Sequence, residues 1–207
     1  MIILASSSPS RKAILESAGI TPLVIPAEVS EEAILHANWK RDSPSFHATR
    51  ALLPIAEAKA RESLRTLRRE RPLTADDLII AADSMLFIDG DLQGKPRTKE
   101  VFLERWRNQA GKTGELITAH CLISGAGHVW KEVVSSTIFF SNPNEKDLEA
   151  YAESGEALEC AGAFTLEARG GWFIDRVEGD TTAILGLSLP VIRRAAYSFG
   201  LSISQFW

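Results

Sequence analysis

One carboxylate interrupts the most apolar stretch of this sequence. Asp83 follows the apolar run 78–82, and further apolar residues continue the pattern to Ile88 before a turn. Runs of this length and composition are typical of a strand that is buried on both faces. A carboxylate in such a strand is costly unless it is paired, hydrated or bound to a metal. Asp83 is therefore either the cap of a strand end or a functional group.

A hydroxyl-rich loop near the start of the chain leads into a helix whose first turn carries cations. Residues 6–10 follow a short apolar strand, and Arg11 comes next. Ser8 suits a helix N-cap and Pro9 the first helical position. Exposed N–H groups and the helix dipole favour an anion there, and arginine adds a planar fork for phosphate. The segment is not a Walker A loop, because the glycines of that motif are missing. The alternative to an anion site is an ordinary capped surface helix with solvated cations.

Two further charged residues could take part in chemistry but do not require it. Glu31 lies in an acidic loop, and Lys59 lies among alanines in a helical stretch. On composition alone, Glu31 is a solvent-facing charge or the first turn of a helix. Lys59 is, on the same grounds, a surface lysine.

The elements that must position these residues alternate between strands and helices. Strands are predicted over 2–5, 20–25, 78–88, 115–124 and 129–140, and helices over 9–18, 99–109 and 190–199. A further helix is predicted to start within 141–145, with Asn142 as its cap, and to end near Glu153. A connection at 36–46 precedes a long helix to Glu70, which Pro54 is expected to kink or restart. This order, with a hairpin late in the chain, predicts an α/β fold with a mixed sheet.

Composition and charge exclude several function classes. The 207 residues are 45% hydrophobic, enough for one domain over 1–207 with a sizeable core. A net charge of −4 offers no basic surface to nucleic acid. Two distant cysteines argue against a zinc site and suit a reducing compartment. Because no stretch resembles a signal peptide or membrane span, we expect a cytoplasmic protein without a membrane partner. The apolar tail ending at Trp207 packs either on the protein itself or on a second copy in a homodimer.

Several motifs, taken in order, resemble the Maf family of septum-formation-inhibitor-like nucleotide pyrophosphatases. Residues 4–12 are similar to the family's L-A-S-x-S-P-x-R-R opening. Residues 82–97 carry A-D-S, D-G and G-K-P, like the family's G-[AS]-D-x…D-G…G-K-P. Residues 154–187 carry S-G-E, A-G-A-F, E-G and G-L, like its S-G-E…A-G-[AS]-[FY]…E-G…G-L-P ending, although Ser188 replaces the proline. The segments around Glu31 and Lys59 fall in register between them, so the resemblance spans nearly the whole chain.

The resemblance implies an elongated, two-lobed mixed sheet flanked by helices around a central cleft, as in Maf and inosine-triphosphatase-like proteins. It also implies hydrolysis of ordinary or modified nucleoside triphosphates to the monophosphate and pyrophosphate, with a divalent cation such as Mg²⁺ or Mn²⁺. Asp83 matches the family's catalytic aspartate, and Glu31 its acidic site residue, a second oxygen ligand for the metal. The residues at its phosphate-handling positions are Ser6, Ser8, Arg11, Lys59 and Lys95.

Ser10, Ser84 and Glu167 fall at the family's three specificity positions. The thymidine/uridine type carries Arg, Thr and Gln there, whereas the 7-methyl-GTP type carries a bulky aromatic residue, Gln and Glu. Glu167 can accept from the N1–H and amine of guanine but cannot donate to O4 of uracil or thymine. Ser10 lacks the ring that would stack on a cationic base. We therefore expect a base pocket that matches neither type well.

Two alternatives to this general pyrophosphatase remain. One is a pyrophosphatase of the 7-methyl-GTP type. The other is a largely non-catalytic, nucleotide-binding regulator of septum formation, which would bind nucleotide without releasing pyrophosphate. Nucleotide binding alone does not require the two carboxylates, Asp83 and Glu31.

Overall fold

Seven strands form one mixed sheet in the computed structural model, which describes residues 1–40 and 45–207, and only the backbone of 45–47. The strands are β1 (Ile2–Leu4), β2 (Leu23–Val24), β3 (Leu78–Ile88), β4 (Asp91–Gln93), β5 (Thr113–Ser124), β6 (Val129–Phe140) and β7 (Ile174–Glu178). They lie in the order β2-β1-β3-β5-β6-β7, with β4 paired to β3. Because β1 runs parallel to β2 and β3 while the other pairs are antiparallel, the predicted mixed sheet is confirmed.

Helices cover both faces of this sheet. They are α1 (Pro9–Ser17), α2 (Glu31–Asn38), α3 (Ser45–Glu70), α4 (Lys99–Gln109), α5 (Glu145–Glu153), α6 (Thr181–Ile184) and α7 (Leu189–Ser198), with 3₁₀ helices at Ala161–Ala163, Arg169–Phe173 and Ile203–Phe206. As predicted, the Ser8 side chain accepts from the backbone N–H of Arg11 to cap α1, and Pro9 is its first residue.

Two sequence predictions about the first half of the chain are wrong in detail. The strand expected over 20–25 shrinks to Leu23–Val24. The α3 helix does not restart at Pro54, because its buried face, which includes Leu52 and Ile55, packs on the sheet and outweighs the lost hydrogen bond, while a kink at Pro54 stays a prediction. Of the connection predicted at 36–46, the first residues close α2, while 41–44 lie outside the described residues.

The cleft lies where strand pairing along one edge of β3 is interrupted. On this edge β1 pairs with Leu78–Ile80 and β4 pairs with Leu86–Ile88, whereas β5 covers the opposite edge throughout. In the described sheet, residues 81–85 therefore have no neighbouring strand on the side of β1 and β4. The chain leaves β1 at this point and enters the serine loop, so the loop and the open edge of β3 meet.

Three hydrophobic clusters surround the gap. One packs α3 on one face of the sheet, and a second packs α1 and α7 on the other face. The third lies at the far end of the sheet with α4 and α5, where Trp106 and Phe102 are fully buried. The sheet is thus flanked by three separate hydrophobic clusters, two on its opposite faces and one at its far end.

The C-terminal tail packs on its own chain. Ile203 and Phe206 lie against the cluster under α1 and α7, while Trp207 stays 75% exposed. The tail therefore gives little support to the homodimer, which stays a prediction. Across the described ranges of the chain, no helix combines the length and apolar character needed to cross a bilayer.

A buried histidine joins the sheet to the start of α7. His120 of β5 is 0% exposed, and its Nε2 accepts from the backbone N–H of Ser188 at 2.9 Å. Ser188 caps α7 and also donates to Asp180, contacts that a proline, which the resemblance would place here, could not make. Burial, with the Arg11 charge in support, lowers the pKa of His120 from 6.5 to about 4.

We expect acid to destabilise the protein through His120. The unfolded chain takes up a proton near pH 6.5, whereas the folded protein does so only near pH 4, so stability is full above pH 6.5 and falls below it. At about 1.4 kcal/mol per pKa unit, about 2 kcal/mol is lost between pH 7.5 and 5. Urea unfolding across this range should show the loss for wild type and for the exposed control His36→Gln. The His120→Gln variant should show a flatter profile, and an equal slope for all three would contradict the assignment.

Candidate active site

Alternation along β3 sends two polar side chains to opposite faces of the sheet at the gap. Ile79, Ala81 and Met85 pack in the cluster under α3, and Asp83 shares their face. Ser84 points to the other face, towards α1 and α6. Asp83 is 5% exposed, so it is not a solvated cap at a strand end. Two consecutive residues thus serve opposite walls of one cleft.

One lysine joins the two candidate carboxylates. Lys59 of α3 lies 2.6 Å from Oδ1 of Asp83 and 2.7 Å from Oε1 of Glu31, measured from its Nζ. Lys59 is 7% exposed, so it is not the surface lysine that composition allowed. Burial opposes ionisation of Glu31, but the charge and hydrogen bond of Lys59, with help from Lys95 and Arg11, prevail and lower its pKa. Glu31 is therefore held ionised beside Asp83.

The second carboxylate oxygen of Asp83 is available to bind a metal ion or to accept a hydrogen bond from a water molecule. Oδ2 is buried and has no hydrogen-bond partner among the described residues. Within those residues, no group of three or more acidic, histidine or cysteine side chains could hold a metal by itself. Mg²⁺, however, commonly binds through one or two carboxylates together with substrate phosphates. Asp83 and Glu31 fit that mode.

Arg11 is anchored by three contacts on the opposite wall. Nε donates to the Gly186 carbonyl at 2.8 Å, one terminal nitrogen donates to Ser6 Oγ at 3.1 Å, and the other donates to Ser84 Oγ at 3.3 Å. Ser84 also bonds Thr118, which donates to the Ala183 carbonyl. Burial lowers the pKa of Arg11, partly offset by the charges of Asp83 and Glu31. Because a guanidinium has five N–H groups and three are used here, two remain for an anion.

A single cavity of about 770 Å³ contains every site residue that the sequence singled out. These are Ser6, Ser8, Ser10, Arg11, Glu31, Lys59, Asp83, Ser84, Lys95 and Glu167. Lys95 and Glu167 are on exposed parts of the wall, where Lys95 pairs with Glu159 at 3.2 Å and Glu167 accepts from the Leu166 N–H. The cavity is therefore cationic at the serine loop and acidic along the segment 156–167.

Glu156 is a residue whose role the sequence did not predict, although it belongs to the S-G-E motif. Its carboxylate accepts from the Thr165 hydroxyl at 2.6 Å and from the Gly170 N–H at 3.3 Å. A side chain on Gly170 would approach the Thr165 carbonyl to 2.4 Å, so only glycine fits this close packing. Glu156 thus shapes the loop that carries Glu167. Thr118, which supports Arg11 through Ser84, gave no sequence signal because its partners lie far along the chain.

Comparison with known proteins agrees with this arrangement of motifs. A family model described as "Maf-like protein" matches residues 1–199. This chain belongs to the Maf-like family. A nucleoside triphosphate pyrophosphatase from Corynebacterium diphtheriae is 51% identical over 207 residues, covering 100% of this chain and 98% of the relative. A protein of the same name from Corynebacterium efficiens is 50% identical over 206 residues, with the same coverage.

A solved structure shows a much weaker likeness to this Maf-like protein. It is a nucleoside-triphosphatase, or dITP/XTP pyrophosphatase, from Mycobacterium abscessus, with 13% identity and a TM-score of 0.36. The match covers 96% of this chain and 94% of the other.

Proposed function

We propose that this Maf-like protein is a nucleoside triphosphate pyrophosphatase that cleaves its substrate to the monophosphate and pyrophosphate. The observation that carries the proposal is the buried Asp83, whose Oδ1 is fixed by Lys59 while Oδ2 is left without a partner in the cavity that also holds Arg11 and the serine loop. The names of the relatives from Corynebacterium support it.

The serine loop and the start of α1 would hold the triphosphate. Backbone N–H groups at a helix N-terminus and the helix dipole favour phosphate. The remaining N–H groups of Arg11, together with the ammonium group of Lys95, would supply positive charge to these phosphates. Phosphoryl transfer needs positioning and charge stabilisation more than covalent chemistry from the protein. The cavity provides both from elements fixed by the sheet.

Asp83 would act on the attacking water. Its free oxygen can accept a proton from water positioned at the α-phosphorus, as a general base does. Lys59 restricts the rotation of the carboxylate by binding its other oxygen at 2.6 Å. A divalent cation, Mg²⁺ or Mn²⁺, would be held by Asp83 and Glu31 with substrate phosphates, and when bound it would neutralise charge that develops on the departing pyrophosphate.

The acidic segment 156–167 would face the nucleoside. Glu167 is exposed in the cavity and its acceptors suit a base with N–H donors, while Ser10 and Ser84 are small hydroxyl residues. This wall supports our proposal of a pocket unlike either known type. Two free cysteines, Cys121 and Cys160, support the proposed cytoplasmic location.

Pyrophosphate release tests the proposal directly. We expect turnover of a subset of ordinary and modified nucleoside triphosphates in the presence of Mg²⁺ or Mn²⁺, and loss of turnover with a chelator. The panel should include UTP, TTP, GTP and 7-methyl-GTP, so that the rates show what the base pocket selects. Folded protein that binds nucleotide but releases no pyrophosphate from any member would instead support the regulatory alternative.

A further inference from the structure

A second arginine lies in the cavity and has no part in the function proposed above. Arg97 follows Lys95 by two residues and lines the same cavity. Its φ is +63°, a left-handed conformation that residues other than glycine rarely adopt. The backbone N–H of Arg97 donates to the Leu158 carbonyl at 3.0 Å, so the acidic wall of the cavity fixes this conformation. Residues held in such sparsely populated backbone conformations cluster at active sites and ligand clamps.

A weak ion pair holds Arg97 in this structure. Its Nη2 lies 3.9 Å from Oε1 of Glu32, the residue after Glu31 on α2, and the two side chains are 67% and 89% exposed. So long and exposed a pair contributes little to stability. Glu32 lines the cavity as well, so a ligand with greater negative charge can replace it.

We propose that Arg97 binds the β- and γ-phosphates of the nucleotide, and that Glu32 is the counter-ion it exchanges for them. The inference rests on the proposed function. Lys95, which is proposed above to supply charge to the triphosphate, precedes Arg97 by two residues, and both line the cavity, so phosphates bound by Lys95 meet a second cation in Arg97. A guanidinium binds phosphate through two parallel hydrogen bonds, and several phosphate charges outcompete one carboxylate.

Direct binding of inorganic pyrophosphate, with Mg²⁺ present, tests this inference without requiring turnover. The Arg97→Gln variant should bind pyrophosphate about tenfold more weakly, as expected for loss of a charged hydrogen bond. The Glu32→Gln variant should bind it several-fold more tightly, because Arg97 no longer has a competing partner. Binding of the nucleoside monophosphate product should not change in either variant.

The chain supplies a matched control pair. Arg65 and Glu62 form an ion pair on α3 at 2.9 Å, Arg65 is 64% exposed, and neither residue lines the cavity. Arg65→Gln and Glu62→Gln make the same charge changes and should leave pyrophosphate binding as in wild type. The inference is overturned if Arg97→Gln binds pyrophosphate like wild type or no more weakly than Arg65→Gln does. It is also overturned if Arg97→Gln weakens binding of the nucleoside monophosphate only. Failure of the proposed function would appear separately, as wild-type protein that releases no pyrophosphate.

Discussion

Replacement of Asp83 by asparagine should lower turnover by about a thousandfold, within the range that a general base contributes. Asparagine keeps the shape of the side chain and an oxygen that can accept from Lys59 Nζ. It removes the negative charge that would bind a metal and the basic oxygen that would accept a proton. The rate of pyrophosphate release, measured with saturating metal and nucleotide, gives the result.

Two controls separate chemistry from folding in this experiment. Circular dichroism and nucleotide binding should show that Asp83→Asn is folded and still binds substrate. Asp89→Asn makes the same charge change just beyond β3, where Asp89 is exposed and pairs with Lys112 at 2.6 Å, and it should keep wild-type turnover. Retained turnover in Asp83→Asn would show that another group activates the water.

Replacement of Lys59 by methionine should reduce both stability and activity. Methionine fills a similar volume but removes the cation that contacts Asp83 and Glu31. Removal of one partner from a buried ion pair typically costs about 3–5 kcal/mol, because the other charge is left buried. We expect a loss of about 3 kcal/mol in the free energy of unfolding by urea, since Glu31 is partly exposed and can be hydrated. Turnover should fall by at least about a hundredfold, because Asp83 is no longer oriented.

A double variant shows whether the loss of stability in Lys59→Met comes from the uncompensated charge of Asp83 or from poorer packing. Adding Asp83→Asn to Lys59→Met removes the uncompensated charge and should recover most of the stability while leaving the protein inactive. Lys131→Met is the control, because Lys131 lies on β6 and pairs with Glu57 at the surface, where loss of an ion pair costs less than about 1 kcal/mol. If the double variant is less stable than Lys59→Met alone, packing rather than charge explains the effect.

Local patterns predicted much of the fold. The Ser8-Pro9 start of α1, the bounds of α4 and the hairpin between β5 and β6 follow from capping, periodicity and turn residues, and all three agree with the structure. The continuation of α3 through Pro54 did not follow, because tertiary packing of its buried face determines it. The length of β2 also depends on its neighbour, since only two residues pair with β1.

The candidate site was predictable in its members but not in its contacts. Motif resemblance selected ten residues, and all of them line the cavity. It did not show that one lysine contacts both carboxylates, because Lys59, Asp83 and Glu31 are distant in sequence. His120 was missed for a similar reason: its low pKa comes from burial beneath α7, which no local pattern reveals.

Residues from regular strands and residues from an irregular segment meet at the gap between β1 and β4. The groups proposed for chemistry stand on or beside strands whose register fixes them, and a shift of one residue would turn Asp83 away from Lys59. Of the residues proposed for recognition, Ser84 lies on β3 and Ser10 on α1, whereas Glu167 lies on the irregular segment 156–167, which lines the cavity without being part of the sheet. The acceptor that Glu167 offers to the base can therefore change without disturbing the strand register that fixes Asp83.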